Sequence, residues 1–264
     1  MYGAPPLVKY ALIFPHTDFS QRKRYFTLYD EGCLLDEEGW YSVTPELIAT
    51  QIAERCRCDT VLDAFCGVGG NAIAFAKTCE HGMHVAILLR PHLTRVPSIV
   101  IALDISPVRL ALARHNAVIY GVADRIEFIL SDYISFAHSY ISRPAGKRPI
   151  DVVFLSPPWG GPDYMLQGID DEELVSESEQ THPEFSLASI KPIHGADLFH
   201  LTRKITRNVA YFLPRNTSLG EISALLTDSA PEEKVEVEEE WMGTKLKALT
   251  CFFGGLAHDQ QHLF

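Results

Sequence analysis

From Thr44 onward the apolar positions change their period in a repeating way. Leu47, Ile48, Ile52 and Cys56 recur at helical spacing behind Thr44-Pro45-Glu46, a capping hydroxyl followed by a proline, so a helix is expected from about Pro45 to Arg55. Thr60-Val61-Leu62-Asp63-Ala64 then reads as a short buried strand, Phe65-Cys66-Gly67-Val68-Gly69-Gly70 as a turn, and Asn71 to Thr78 as a short apolar helix. The cycle repeats. Ile99 to Leu103 is a strand ending at Asp104, and Pro107 opens a helix that turns Val108, Leu110, Ala111, Leu112 and Ala113 toward a core. Ile126 to Leu130 is a third strand ending near Asp132, and Ile150 to Leu155 a fourth ending at Ser156-Pro157-Pro158-Trp159.

Short apolar strands alternating with helices imply an α/β fold on a doubly wound, mostly parallel sheet. Val209 to Leu213, Val235 to Glu239 and Leu249 to Phe253 are further expected strands, the last two forming an antiparallel edge. His81 to Pro97 and Met165 to Asp197 exceed ordinary connection lengths and are expected as surface insertions or mobile segments. The main domain is expected over residues 41–256. A small N-terminal extension, 1–40, with the basic aromatic cluster Gln21-Arg22-Lys23-Arg24-Tyr25-Phe26, precedes it, and a polar tail, 257–264, follows.

Composition narrows the class. The 264 residues are 47% hydrophobic and 22% charged, which is enough apolar chain for one large core without covalent staples. The six cysteines contain no CxxC pair, and Cys56 and Cys58 are too close to bridge each other, which argues against a disulfide framework and a structural zinc site. No uncharged run reaches membrane-spanning length, so a reduced, intracellular protein without a membrane or metal partner is expected. A formal net charge of -11 argues at first against nucleic acid. The acids are concentrated, however: nine fall in Pro149 to Ile190 with no Lys or Arg, and eight in Glu221 to Glu240 with one lysine. Elsewhere bases outnumber acids, so a local anion site fits, and the acidic runs read as solvated loops or faces.

The unusual residues stand at strand ends, where open α/β sheets bind ligands. Glycines 67, 69 and 70 let backbone approach a ligand closely. Asp63 is placed for an amine-bearing or cationic group, and Asp104 for the two hydroxyls of a ribose. Together they suggest S-adenosylmethionine, with a nicotinamide cofactor as the alternative, because a glycine turn followed by an acid serves both. At Ser156-Pro157-Pro158-Trp159 two prolines force the chain out of the sheet and expose a carbonyl. That carbonyl and the serine hydroxyl can accept hydrogen bonds from an exocyclic amine while Trp159 stacks on a planar base. Methyl transfer to a nucleobase amino group fits; a stiffened loop with a core tryptophan is the bland reading.

These residues resemble the trimethylguanosine synthases. The similarity runs through Glu38-Gly39-Trp40-Tyr41-Ser42-Val43-Thr44-Pro45-Glu46, Asp63-Ala64-Phe65-Cys66-Gly67-Val68-Gly69-Gly70-Asn71, Ala102-Leu103-Asp104-Ile105, and above all Ser156-Pro157-Pro158-Trp159-Gly160-Gly161-Pro162-Asp163-Tyr164. Further blocks are Ile205 to Asn208, Tyr211 to Asn216 and Lys245-Leu246-Lys247, so it spans Gln21 to Gly254.

The resemblance implies a class I (Rossmann-like) S-adenosylmethionine-dependent methyltransferase whose extension closes over the active site. Its implied reaction is methylation of guanine N2 in the m7G cap of small nuclear and nucleolar RNAs, giving 2,2,7-trimethylguanosine. Carried over by position, Phe26, Thr44, Asp63, Phe65, Gly67, Gly69, Asn71, Asp104, Ile105, Asp132, Tyr133 and Ser156 form the donor site. Ser156, Pro157 and Trp159 position the acceptor amine, Trp159 also stacks on the cap base, and Tyr164, Arg215 and Lys247 reach the cap phosphates. Phe26 and Asp132 have structural readings too, as packing and capping residues. The resemblance further implies a monomer, RNP proteins as partners, and a nuclear, nucleolar or cytoplasmic location. The family carries Lys-Tyr-Trp where Thr17-Asp18-Phe19 stand here, so one phosphate-binding lysine is expected to be lost, with either Lys23 as its substitute or a lower cap affinity as the result. A cap-binding protein without catalysis, and an amino-methyltransferase acting on another nucleobase, are the alternatives.

Overall fold

A computed structural model describes residues 19–78, 99–144, 149–160, 184–227 and 233–261. Seven strands form one sheet: β1 (Thr60–Asp63), β2 (Ile99–Asp104), β3 (Ile126–Leu130), β4 (Val152–Leu155), β5 (Asn208–Pro214), β6 (Glu236–Met242) and β7 (Lys245–Phe253), in the order β3-β2-β1-β4-β5-β7-β6. β1 to β5 pair in parallel, whereas β7 runs antiparallel to both β5 and β6. The strands β1, β4 and β5 are buried along their whole length, which is why their central positions are apolar on both faces without alternation and polar residues stand only at their ends. The chain winds outward from β1 to β3 and returns to β4 on the other side of β1. A cleft therefore opens at the carboxyl ends of β1 and β4.

Helices cover both faces. One core joins α3 (Glu46–Arg55), α4 (residues 70–78) and α5 (Pro107–Ile119) to Val100, Phe154, Phe212 and Phe252. The other joins α6 (Tyr133–Ile141), α7 (Gly195–Arg203) and α8 (Leu219–Ala224) to Leu62, Leu155, Tyr211 and Phe253. The expected surface insertion ending at Asp197 is corrected over its described part. Phe185, Leu187, Ile190, Leu198 and Phe199 are all buried, and Gly195 fits so closely that a Cβ there would lie 2.8 Å from Ile190 Cδ1. The polar tail is likewise docked as far as Gln260, which is buried and whose side chain bonds the Lys234 amide at 2.7 Å and carbonyl at 2.9 Å.

The described extension, with α1 (Arg22–Tyr25) and α2 (Glu37–Ser42), is part of the same packed body. Tyr25, Phe26, Cys33 and Trp40 belong to the first core. Asn116 of α5, fully buried, accepts from the Leu34 amide (2.7 Å) and donates to the carbonyls of Leu34 and Val68 (both 2.9 Å). Arg109 pairs with Asp36 and Glu38. Glu46 receives the Thr27 amide (2.6 Å), the Tyr120 hydroxyl (2.7 Å) and Lys77 Nζ (2.9 Å), tying the extension to α3, α4 and the end of α5.

Candidate active site

The β1 end is shaped by its turn. The Cys66 amide bonds the Leu103 carbonyl at 2.7 Å, which folds the chain back across β2. Gly67 and Gly69 adopt φ of +52° and +92°, a region where a side chain is strained. The two serve different ends. A Cβ on Gly69 would come within 3.0 Å of Ala113 Cα, so that glycine lets the turn close on α5. A Cβ on Gly67 would meet no protein atom within 4 Å, so its open side faces the cleft.

Beside this cradle, Asp63 is 1% exposed; the Phe65 and Ala72 amides face its carboxylate, but neither oxygen makes a hydrogen bond of full geometry with a described residue. Burial pushes its carboxyl up to about 7, with Asp104 adding to the rise; the nearby Phe65 and Ala72 amides only partly offset this. Asn71 Nδ2 is also buried with no partner. A buried carboxylate and a buried amide left orphaned at one turn mark a place for a ligand that bonds them. Asp104 accepts from the Gly67 amide (3.0 Å) and the Ser106 amide (2.7 Å), one on each oxygen, leaving lone pairs on both for a diol. Burial, Asp63 and Asp104 hold the Cys66 thiol far above its ordinary value, so it is no nucleophile.

Around the cradle, Ile105 is 74% exposed directly after Asp104, and Leu130 is exposed at the end of β3, an apolar rim suited to a flat ring. Thr44 and Phe26 are buried, and the Phe26 ring packs 6.0 Å from Tyr120. Asp132 caps α6, accepting from the Ser135 amide at 2.9 Å. Burial opposes its charge, but the Ser135 and Ile134 amides outweigh it and hold the carboxyl below its usual range. Tyr133 lies in the core with its hydroxyl bonded to Thr202 at 2.7 Å, while its ring stands 5.5 Å from that of Phe65. Its phenol is thus turned away from the cleft.

The β4 end meets the cradle. Ser156 Oγ donates to the Phe65 carbonyl at 3.4 Å, joining the two loops across the switch point. Pro157 is buried, Pro158 exposed, and Trp159 half-buried, with its ring 5.3 Å from Phe212 and inclined by 32°. At the neighbouring strand end, pairing of Pro214 with Ala248 brings Arg215 beside Lys247. The pairing of β6 with β7 runs Glu240 to Ala248 and then Trp241 to Leu246, so Lys247 is the extra residue of a β-bulge. A bulge re-aims the side chain it carries, and no pattern of apolar and polar residues announces one. Tyr164 lies outside the described residues. Lys23 pairs with Asp30 at 2.8 Å, as does Arg22 at 2.9 Å. Among the described residues no group of three or more His, Cys, Asp or Glu side chains could hold a metal ion.

Residues 58–256 match the family model described as RNA cap guanine-N2 methyltransferase. The chain belongs to that family. The trimethylguanosine synthase of Schizosaccharomyces pombe is 32% identical over 240 residues, covering 89% of this chain and 84% of that protein. The trimethylguanosine synthase of Saccharomyces cerevisiae is 28% identical over 243 residues, covering 89% of this chain and 66% of its own length. Among solved structures, the O-methyltransferase TomG from Streptomyces achromogenes in complex with SAM is 13% identical, covers 92% of this chain and 91% of its own, and has a TM-score of 0.49. As a member of the cap guanine-N2 methyltransferases, the chain uses S-adenosylmethionine as methyl donor. Sequence reasoning missed the Glu46 junction and the bulge at Lys247. The Thr-Pro-Glu triplet was visible as a helix start, and Thr44 as a donor-site residue by resemblance, but Glu46 was given no role beyond the helix.

Proposed function

We propose that this cap methyltransferase adds methyl groups to guanine N2 of an m7G cap in two rounds, with small nuclear and nucleolar RNAs as substrates and 2,2,7-trimethylguanosine as the end product. The observation that carries the reading is the contact of Ser156 with the Phe65 carbonyl. It sets a platform for a base, Trp159, against a cradle for the donor. The cradle fits S-adenosylmethionine: Asp63 offers an unmatched buried carboxylate to the amino-acid end, Asn71 an unmatched amide, Gly67 open space, and Asp104 two acceptors to the ribose. When bound, the donor supplies an electrophilic methyl on a sulfonium that leaves as a neutral thioether.

The protein's own part is positioning. Ser156 Oγ and the Pro157 carbonyl hold the guanine amino group, and Pro157, buried and fixed in φ, cannot drift. Trp159, backed by Phe212, stacks on the base. N7 methylation gives that base a positive charge, and attraction of a desolvated cation to an indole face is worth up to about 2 kcal/mol, which favours a methylated over an unmethylated cap. Arg215 and Lys247 hold the phosphates. A cap-binding module without catalysis has no use for an orphaned Asp63 beside a glycine cradle. The resemblance to trimethylguanosine synthases supports the RNA classes, action as a monomer, RNP proteins as partners, and a location in the nucleus, nucleolus or cytoplasm.

The test is incubation with S-adenosylmethionine and m7GTP, with GTP as control, followed by mass analysis. One and two added methyl groups on m7GTP alone are expected, and Trp159→Ala abolishes them. Methylation of GTP, or full activity of Trp159→Ala, overturns the assignment.

A further inference from the structure

Trp241 takes no part in the steps above, yet it is set like a binding residue. It lies near the end of the polar edge strand β6 with 49% of its surface exposed, and its indole N–H donates to Glu239 Oε2 at 3.1 Å. That bond holds the ring by its edge and leaves its faces for stacking.

Three observations tie it to the cap end of the cleft. Arg215, in the turn directly after β5, and Trp241, near the end of β6, both stand at the carboxyl end of the sheet, on either side of the start of β7. The bulge at Lys247 falls beside Trp241 and turns the local strand direction. Arg215 Nη1 donates at 3.4 Å to the carbonyl of Leu246, the residue paired with Trp241. Lys245, exposed, stands one position further on, opposite Met242.

At the carboxyl end of the sheet these groups follow one another across the strands: Trp159 after β4, then Arg215 after β5 with Lys247 on β7, then Trp241 on β6. β4 to β5 is one strand spacing and β5 to β6 is two, roughly 5 Å and roughly 10 Å. A base platform, a pair of cations and a second base platform repeat the covalent order of a capped RNA end: methylated guanine, triphosphate bridge, first transcribed nucleotide. We propose that Trp241 is a stacking subsite for the nucleobase of that first transcribed nucleotide. The inference rests on the cap-methylating function argued above. β6 is acidic, so charge alone does not draw RNA there. Glu239 is directed at the indole, and the phosphates are met on the side of Arg215 and Lys247. A stacked platform of this kind accepts any base.

The experiment compares steady-state methylation by the full chain of m7GTP, which ends at the triphosphate, with that of m7GpppA, which carries one more nucleoside. Trp241→Ala is expected to raise KM for m7GpppA roughly tenfold. Its kcat/KM on m7GTP stays within about twofold of the wild type, as for a surface substitution, and so reports that the variant is folded. Trp241→Phe restores most of the affinity for m7GpppA. An equal loss on both substrates, or an unchanged KM for m7GpppA, overturns the subsite. Wild-type protein that methylates neither substrate overturns the function beneath it, a result distinct from the other two.

Discussion

Asp63 makes donor binding depend on pH. In the ligand-free protein burial, with Asp104 adding to it, holds the carboxyl at about 7. The Cys66 thiol beside it stays neutral, and no described residue forms an ion pair with it. An ammonium group is held by the ionised form, so affinity for the methionine end of the donor falls about tenfold for each pH unit below 7. At pH 6 roughly one molecule in eleven is already ionised, and binding there releases close to one proton. Calorimetric titration with S-adenosylhomocysteine, which has the same amino-acid end and no methyl to transfer, reads both quantities when run in two buffers of different ionisation heat. The useful range is about pH 5.5 to 7, below the titration of the ligand's own amino group near 8. Constant affinity across that range, with no buffer-dependent heat, refutes the assignment. Stability has the opposite sign. A folded value of about 7 against roughly 4 in the unfolded chain leaves the fold unpenalised at pH 4 and costs it on the order of 4 kcal/mol above pH 7. Asp63→Asn therefore raises Tm at pH 8 by a few degrees, less than the full amount because a buried amide also lacks a partner, and gains nothing at pH 4.

The two glycines of the turn separate fold from function. Gly69→Ala drives a Cβ to 3.0 Å from Ala113 and is expected to lower the urea midpoint clearly, whereas Gly67→Ala costs only about 1–2 kcal/mol of backbone strain but obstructs the cleft and weakens donor binding at least tenfold. At Glu46 burial works against the charge, but the Thr27 amide, Tyr120 and Lys77 outweigh it and hold the carboxyl below its usual range. Glu46 thus adds stability that is complete above the unfolded value, near 4.3, and fades as pH falls through the lower folded one. Glu46→Gln is expected to lose about 1–3 kcal/mol at pH 7 in urea denaturation, and a smaller amount at acid pH. It also raises KM for the donor, because Phe26 and Thr44 flank the bonds it breaks.

Much of the fold was legible because short apolar stretches between turns mark parallel strands: β1, β2 and β4, largely buried, and the edge strand β3, where Glu127 interrupts Ile126 to Leu130, stand within a residue or two of where the pattern places them. The helices α6 and α7 were missed. In α6 the buried Tyr133, Ala137 and Tyr140 do recur at helical spacing behind the Asp132 cap, so its stripe was present and went unread, whereas α7 opens on glycine behind a histidine cap instead of the usual Ser, Thr or Asp. The acidic composition before residue 190 suggested a surface segment, while the few apolar residues that decide burial, Phe185, Leu187 and Ile190, come at its end. In the site, Asp63, Asp104, Gly67 and the Ser-Pro-Pro-Trp turn were readable because their chemistry is unusual for a strand end. The bulge at Lys247 was not, because it exists only as a mismatch between two strands.

The boundary drawn at residue 40 shows how sequence and packing divide a chain differently. Aperiodic sequence marked residues 1–40 as an appendage, yet Asn116 uses one side-chain amide to bond both Leu34 of that stretch and Val68 of the donor turn. Gly39 lies so close to the same turn that a Cβ there would approach Val68 Cγ1 to 3.1 Å. Together with Arg109 and Glu46, these contacts make the extension the outer wall of the donor cradle. A wall whose apolar anchors, Tyr25, Phe26, Cys33 and Trp40, sit in short helices and loops with polar ties between them carries no sustained period of its own, and it is therefore invisible to a reading based on period. Its order depends on the turn, and the turn's order on it, so anything that stiffens the glycine turn also fixes the extension.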